Sequence, residues 1–147
     1  MPREFKIILC ATDFSEESCR ALEYALRFAK LSDGTLLIAH ILHNPVTEEF
    51  HPEGYELSFD QVKGRALARL QEIQQTRLGG YAKCELLVAI GDPYEQLMEF
   101  AVRRKVDLIV TATHGRTGLE HLVMGSVAEK IIRHAPCPVF VVRRGAD

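Results

Sequence analysis

A glycine and small polar residues near the C-terminal end of the sequence are suited to binding a phosphate. Gly125 and Ser126 stand where a helical pattern begins, so the backbone amides of Ser126 and Val127 point out of a helix N-terminus. Such a terminus binds anions through its free N–H groups and the helix dipole. His114 and Arg116, a few residues earlier, could add positive charge. This arrangement predicts a phosphate site between a strand end and the following helix.

A purely structural role for the same residues remains open on local chemistry. A glycine after a strand and a serine at the start of a helix occur in most α/β proteins, and Gly118 could simply relieve a turn. Three well-known phosphate and hydrolase motifs can be excluded. The chain has no G-x-x-x-x-G-K-[ST], no G-x-G-x-x-G after its first apolar run and no G-x-S-x-G. P-loop NTPases, standard dinucleotide-binding proteins and α/β-hydrolases are therefore excluded.

Short apolar runs and longer helical patterns alternate along the chain and must position these residues. Five runs are apolar on both faces and rich in β-branched residues, as strands covered by helices on both sides must be. The predicted strands are 6–11, 36–42, 85–89, 108–112 and 139–142.

Each of the four helical patterns between the strands has a physical start signal. The predicted helix starts and stops are Ser15 with a stop at Gly34, the Ser58–Gln61 capping box with a stop at Gly79 and Gly80, Asp92 with Pro93 and Glu95, and a Ser126–Glu129 box that stops before Pro136.

The alternation predicts an α/β fold with a single open five-stranded parallel sheet and helices on both faces, because parallel strands need helical crossovers. We assign 1–147 to one domain, a length typical of domains. Ligands of such folds bind beyond the carboxyl ends of the strands. The long polar connection 44–57 has a length that is usually functional or mobile.

Composition narrows the class of protein further. Of 147 residues, 47% are hydrophobic and 26% charged, which excludes an intrinsically disordered chain. The net charge of -2 argues against a dedicated nucleic-acid binder. No segment reaches the ~18 apolar residues of a membrane span, and no signal peptide is recognisable, so we expect a cytoplasmic protein. The four cysteines show no C-x-x-C, which favours structural thiols over a zinc site or disulfides.

The sequence resembles the universal stress protein family (UspA-like) in its nucleotide-binding branch. The resemblance spans essentially the whole chain and rests on segments 11–15, 126–130 and 135–139. The ATP signature of the family is Gly, two residues, Gly, nine residues, Gly and Ser or Thr. This chain has Ala112, two residues, Gly115, nine residues, Gly125 and Ser126, so only the first position departs. The extra methyl group of Ala112 could crowd a ribose or phosphate, but it removes no amide donor.

The resemblance implies a Rossmann-like fold, similar to the adenine nucleotide alpha hydrolases, with strand order 3-2-1-4-5. It implies that ATP binds with Mg²⁺ or Mn²⁺ held through the phosphates. Asp13 would face the ribose and reach the metal only through water, and the backbone of Ile41 would face the adenine. The nucleotide-binding residues it implies are Ala11, Thr12, Asp13, Ile41, Ala112, Thr113, His114, Gly115, Arg116, Gly125, Ser126 and Val127.

The resemblance also implies an antiparallel homodimer through the last strand. Its apolar residues are Val139, Phe140, Val141 and Val142.

Three functional hypotheses follow. The first is a stress-response regulatory module in which bound ATP alters partner binding by ordering segments 44–57 and 119–124. The second is a slow ATPase or phosphotransferase, although neither a Walker lysine nor a dedicated water-activating base is recognisable. The third is a dimeric interaction protein with a vestigial pocket, which the alanine at 112 suggests. No catalytic residue is assigned.

Overall fold

Strands and helices alternate throughout the computed structural model, which describes residues 4–43, 58–114 and 124–145. The elements are β1 (Ile7–Ala11), α1 (Glu16–Ser32), β2 (Thr35–Leu42), α2 (Phe59–Thr76), β3 (Cys84–Ile90), α3 (Pro93–Arg103), β4 (Leu108–Ala112), α4 (Ser126–His134) and β5 (Val139–Val142). The five strands and four helices are those predicted, and no strand end differs from its predicted position by more than one residue.

The five strands form one parallel sheet in the order β3-β2-β1-β4-β5. This confirms the predicted fold class and strand order. The chain moves outward from β1 to β3, returns to β4 on the other side of β1, and then adds β5. The carboxyl ends of β1 and β4, where the direction of winding reverses, form the switch point at which ligands of such sheets bind.

Two apolar layers cover the two faces of the sheet. Side chains alternate along β1, so Ile8 packs with Leu22 of α1 and Leu70 of α2, whereas Leu9 packs with Leu97 of α3 and Ile131 of α4. All six of these side chains are buried. Because both faces are covered, the sheet exposes polar groups mainly at its strand ends.

The predicted caps are present on three helices. The side chains of Ser15, Ser58 and Asp92 accept hydrogen bonds from backbone amides of the first turns of α1, α2 and α3, and Ser58 forms a full capping box with Gln61. The predicted Ser126 box is wrong. Ser126 is the first helical residue of α4, and Gly125 is its N-cap without a side-chain hydrogen bond. The first turn of α4 therefore lacks a side-chain cap.

The predicted stop of α1 at Gly34 is one residue late. Asp33 takes the left-handed conformation at the helix end, with φ 52, which aspartate tolerates better than most residues. Gly34 is needed for a different reason, since the backbone of the segment before β1 passes directly over it. A side chain at this position would collide with that segment.

None of the four cysteines, all of which are described, forms a disulfide bond, and Cys10 and Cys19 are buried. Burial raises the pKa of the Cys10 and Cys19 thiols above the usual range and that of Cys84 to about 11. These three side chains are therefore thiols near neutral pH, and poor nucleophiles.

No helix within the described ranges is both long enough and apolar enough to cross a membrane.

Candidate functional site at the carboxyl end of the sheet

A cavity of about 420 Å³ opens at the carboxyl ends of β1, β2 and β4, between the N-termini of α3 and α4. Its size falls within the range of small-molecule sites, about 300–1,000 Å³. The residues that line it are Ala11, Thr12, Asp13, Ser18, His40, Ile41, His43, Asp92, Pro93, Leu97, Thr111, Ala112, Thr113, His114, Gly125, Ser126, Val127 and Ala128.

A network of hydrogen bonds shapes the turn after β1. The hydroxyl oxygen of Thr12 accepts the backbone N–H of Phe14 at 3.0 Å, and a 2.8 Å hydrogen bond joins it to the hydroxyl of Ser18. Asp13 Oδ1 accepts the backbone N–H of Ser15 at 3.0 Å. Asp13 therefore supports the start of α1 and also lines the cavity.

The aromatic ring of Phe14 contacts two side chains from other elements. The backbone of Phe14 is left-handed, with φ 68, a conformation that is unusual for a bulky residue. One neighbour is the imidazole of His40, with ring centroids 4.4 Å apart, and the other is the Arg69 guanidinium, 3.8 Å from the ring centroid. His40 Nδ1 also donates to the backbone oxygen of Thr12 at 2.8 Å. These contacts hold the β1 turn in one conformation.

The turn after β4 meets the start of α4 at close range. The backbone N–H of Gly125 donates to the carbonyl of Thr113 at 2.6 Å, and a Cβ on Gly125 would lie 3.3 Å from that same oxygen. The hydroxyl of Thr113 is 3.1 Å from Nδ1 of the buried His114. Because no side chain caps α4, the first amides of the helix are open to an anion in the cavity.

The described lining carries two carboxylates, Asp13 and Asp92, and three histidines, and neither lysine nor arginine. An anion in this part of the site would therefore be stabilised mainly by backbone amides and the α4 dipole. Within the described ranges no group of three or more His, Cys, Asp or Glu could hold a metal ion.

Ten of the twelve residues predicted for the site line the cavity together. They are Ala11, Thr12, Asp13, Ile41, Ala112, Thr113, His114, Gly125, Ser126 and Val127. Gly115 and Arg116, and the segments 44–57 and 119–123 expected to respond to ATP, lie outside the described residues.

Sequence reasoning missed eight residues of the lining. His40 and His43 were not among the predicted site residues, and Asp92 and Pro93 were predicted only as the start of a helix. The period-two alternation of β2 and the position of Asp92 just after β3 could have indicated them. The others are Ser18, Leu97, Thr111 and Ala128.

The chain is similar to known proteins along almost its whole length. The sequence model of the Universal stress protein family matches residues 4–143. Universal stress protein MJ0531 of Methanocaldococcus jannaschii is 33% identical over 141 residues, which are 95% of this chain and 83% of that protein.

Solved structures share the fold. The structure of MJ0577, a universal stress protein of Methanocaldococcus jannaschii, aligns with a TM-score of 0.81 at 27% identity and covers 99% of this chain and 100% of its own. A universal stress protein solved in complex with cAMP aligns with a TM-score of 0.71 at 24% identity and covers 96% and 98% of the two chains. The second likeness is one of fold alone.

Proposed function

Because the chain belongs to the universal stress protein family, we propose that it is a stress-response regulatory protein that binds ATP in the cavity at the carboxyl end of its sheet. In this proposal the bound nucleotide changes the affinity of the protein for a partner. The chain acts as a binding or sensing module. Family membership and the spaced 112–126 signature support an adenine nucleotide as the ligand class.

The observation that carries the proposal is the uncapped N-terminus of α4 at one end of the cavity. The amides of Ser126 and Val127 would bind the phosphates, with Gly125 allowing their close approach. Asp13 would accept a ribose hydroxyl, and the backbone of Ile41 would face the adenine. Ala112 is half-buried and lines the cavity, and its methyl group removes no amide donor.

A divalent ion fits this proposal only as part of the nucleotide complex. Mg²⁺ is usually held by substrate phosphates with one or two carboxylates and several waters. Asp13 is suited to such a contact through water, because one of its oxygens already accepts the N–H of Ser15. When bound, Mg²⁺ or Mn²⁺ would neutralise part of the phosphate charge. The described lining contains no lysine or arginine that could do so.

Calorimetric titration of the purified protein with ATP and Mg²⁺ tests the proposal. We expect saturable binding, and Asp13→Asn should weaken it about tenfold, because a hydrogen bond to a charged group is lost while the acceptor for Ser15 remains. Asp60→Asn, at an exposed site in the first turn of α2, is the matched control and should bind like the wild type. Absence of heat at millimolar ATP would refute the proposal and leave a vestigial pocket as the better interpretation.

We also propose that two copies pair antiparallel through β5. This strand is one edge of the sheet, and its residues Val139 to Val142 are all apolar. The carbonyls of Pro138 and Val142 accept the backbone N–H groups of Ile109 in β4 and of Thr113 directly after it. Because successive residues of a strand alternate in direction, the backbone groups of Val139 and Val141 point away from β4. An apolar edge strand of this kind invites pairing with another strand.

Val141→Pro should convert the dimer into a folded monomer. Proline removes one outward N–H without removing a donor to β4, and edge strands tolerate it. Light scattering during gel filtration would give the mass, and circular dichroism the fold. Leu31→Lys, which changes a residue 85% exposed on α1, should stay dimeric. A wild-type protein that is monomeric at all concentrations would contradict the proposed interface.

A further inference from the structure

We propose that Asp92 selects the base of the bound nucleotide by accepting a hydrogen bond from the exocyclic amine of a 6-aminopurine. The inference rests on the proposed nucleotide function, and it assigns Asp92 a role beyond capping a helix. A site of this kind would prefer adenine to hypoxanthine or guanine, which carry an oxygen at the same ring position.

Asp92 has one carboxylate oxygen committed to the fold and one that is not. Its Oδ2 accepts the backbone N–H of Glu95 at 3.0 Å and thereby caps α3. Among the described residues, Oδ1 has no hydrogen-bond partner. The residue is half-buried and lines the cavity, and its backbone is fixed between β3 and Pro93. The cap therefore leaves a second acceptor on a residue that lines the cavity.

The position of Asp92 matches the end of the cavity that the base would occupy. Gly91 N donates to the carbonyl of Leu42 at 3.1 Å, which ties the end of β3 to the end of β2. The phosphate end, at Gly125, lies on the other side of β1 and follows β4. Since β2 and β4 flank β1, roughly 10 Å of sheet separates the two ends. A nucleotide whose phosphate lies at α4 therefore extends toward β2 and Asp92.

The chemistry of a carboxylate distinguishes the two classes of purine. An ionised carboxylate only accepts hydrogen bonds, so it pairs with the N6 amino group of adenine. It faces the O6 atom of a 6-oxopurine with two acceptors and no proton between them. Asp13, the other carboxylate of the described lining, follows the central strand β1 and has its Oδ1 bonded to Ser15, which places it nearer the middle of the ligand.

Competition between ATP and ITP, which differ at this ring position, tests the inference on the intact protein. The wild type should bind ATP about ten- to a hundredfold more tightly than ITP. In Asp92→Asn the amide oxygen can still cap α3, while the amide NH₂ takes the place of Oδ1 and can donate to O6. We expect this variant to bind ITP at least as tightly as ATP.

Two further variants separate base selection from helix capping. Asp92→Ser keeps a cap but removes the second acceptor, so ATP and ITP should bind with similar affinity. Ser58→Asp changes the cap of α2, whose N-terminus supplies none of the described lining, and should leave the preference unchanged. Equal wild-type affinities, or a preference for ATP that survives in Asp92→Asn and Asp92→Ser, would overturn the inference but not the proposed function. Absence of binding by either nucleotide to the wild type would overturn both.

Discussion

Replacing Gly125 with aspartate is expected to weaken ATP binding by at least about a hundredfold while the protein stays folded. Gly125 has the extended backbone of an ordinary N-cap, with φ -70 and ψ 156, so an L-residue fits there. An aspartate at an N-cap accepts the N–H of the second or third helical residue, here Val127 or Ala128. The side chain would occupy amides proposed for the phosphates and add a negative charge beside them.

The same substitution should change stability little, which makes the loss of binding interpretable. Aspartate is a better cap than glycine by a few tenths of a kcal/mol. The added Cβ would lie 3.3 Å from the carbonyl of Thr113, so a small adjustment would offset that gain. Calorimetry with ATP and urea denaturation would measure the two effects on the same sample.

Gly125→Ala is the control for the Cβ atom, because it adds the same atom without an acceptor or a charge. It should lose much less affinity than Gly125→Asp. Gly125→Asn adds a neutral acceptor of nearly the same shape and should fall between them. Wild-type affinity in Gly125→Asp would mean that the phosphates do not bind at the start of α4.

The fold was predictable because its signals are local and repeated. The runs around Leu9 and Ile109 are apolar on both faces, which only a sheet covered on both sides accommodates. Ser15, Ser58 and Asp92 each precede a helical pattern at capping distance, and each forms the expected hydrogen bond. The ends of the strands were harder to predict from the sequence, because extending a strand by one residue changes its buried area very little.

The candidate site was predictable where its residues follow directly from a strand end. Asp13 and Thr113 could be placed by this rule alone, because the carboxyl ends of parallel strands meet at one edge. The packing of Phe14 against His40 and Arg69 could not be predicted, because it depends on a left-handed backbone and on contacts between residues far apart in the chain. These contacts of Phe14 form only in the folded tertiary structure, and no periodic pattern in the sequence indicates them.

The sequence pattern misplaced the role of one glycine, Gly34. The sequence pattern predicted that Gly34 ends α1, whereas the left-handed residue at the end of the helix is Asp33. A close approach between two backbone segments has no signature in a single sequence. Gly34 satisfies a spatial requirement that appears only when α1 and the segment before β1 are packed together.

Gly34→Ala is accordingly expected to destabilise the protein by about 2–3 kcal/mol, near the upper end for overpacking. A Cβ at Gly34 would lie 2.8 Å from the carbonyl oxygens of both Phe5 and Lys6, which are backbone atoms. Gly34 itself has little freedom to move. Its N–H donates to Ala29 O at 2.8 Å, and its carbonyl accepts the hydroxyl of Tyr81 at 2.7 Å. Relief of the clash would therefore break contacts at the amino end of β1.

The matched control is Gly64→Ala, in the exposed middle of α2, where a Cβ would meet no atom within 4 Å. This second substitution should stabilise the protein by about 0.5–1 kcal/mol, because alanine is the better helix former. Urea denaturation of both variants would measure the free energy of unfolding, and we expect the same added methyl group to change it in opposite directions. If the free energy of unfolding of Gly34→Ala lay within about 0.5 kcal/mol of the wild-type value, the close packing of this segment against α1 would be contradicted. Changes that small are typical of surface sites, where an added methyl group has space.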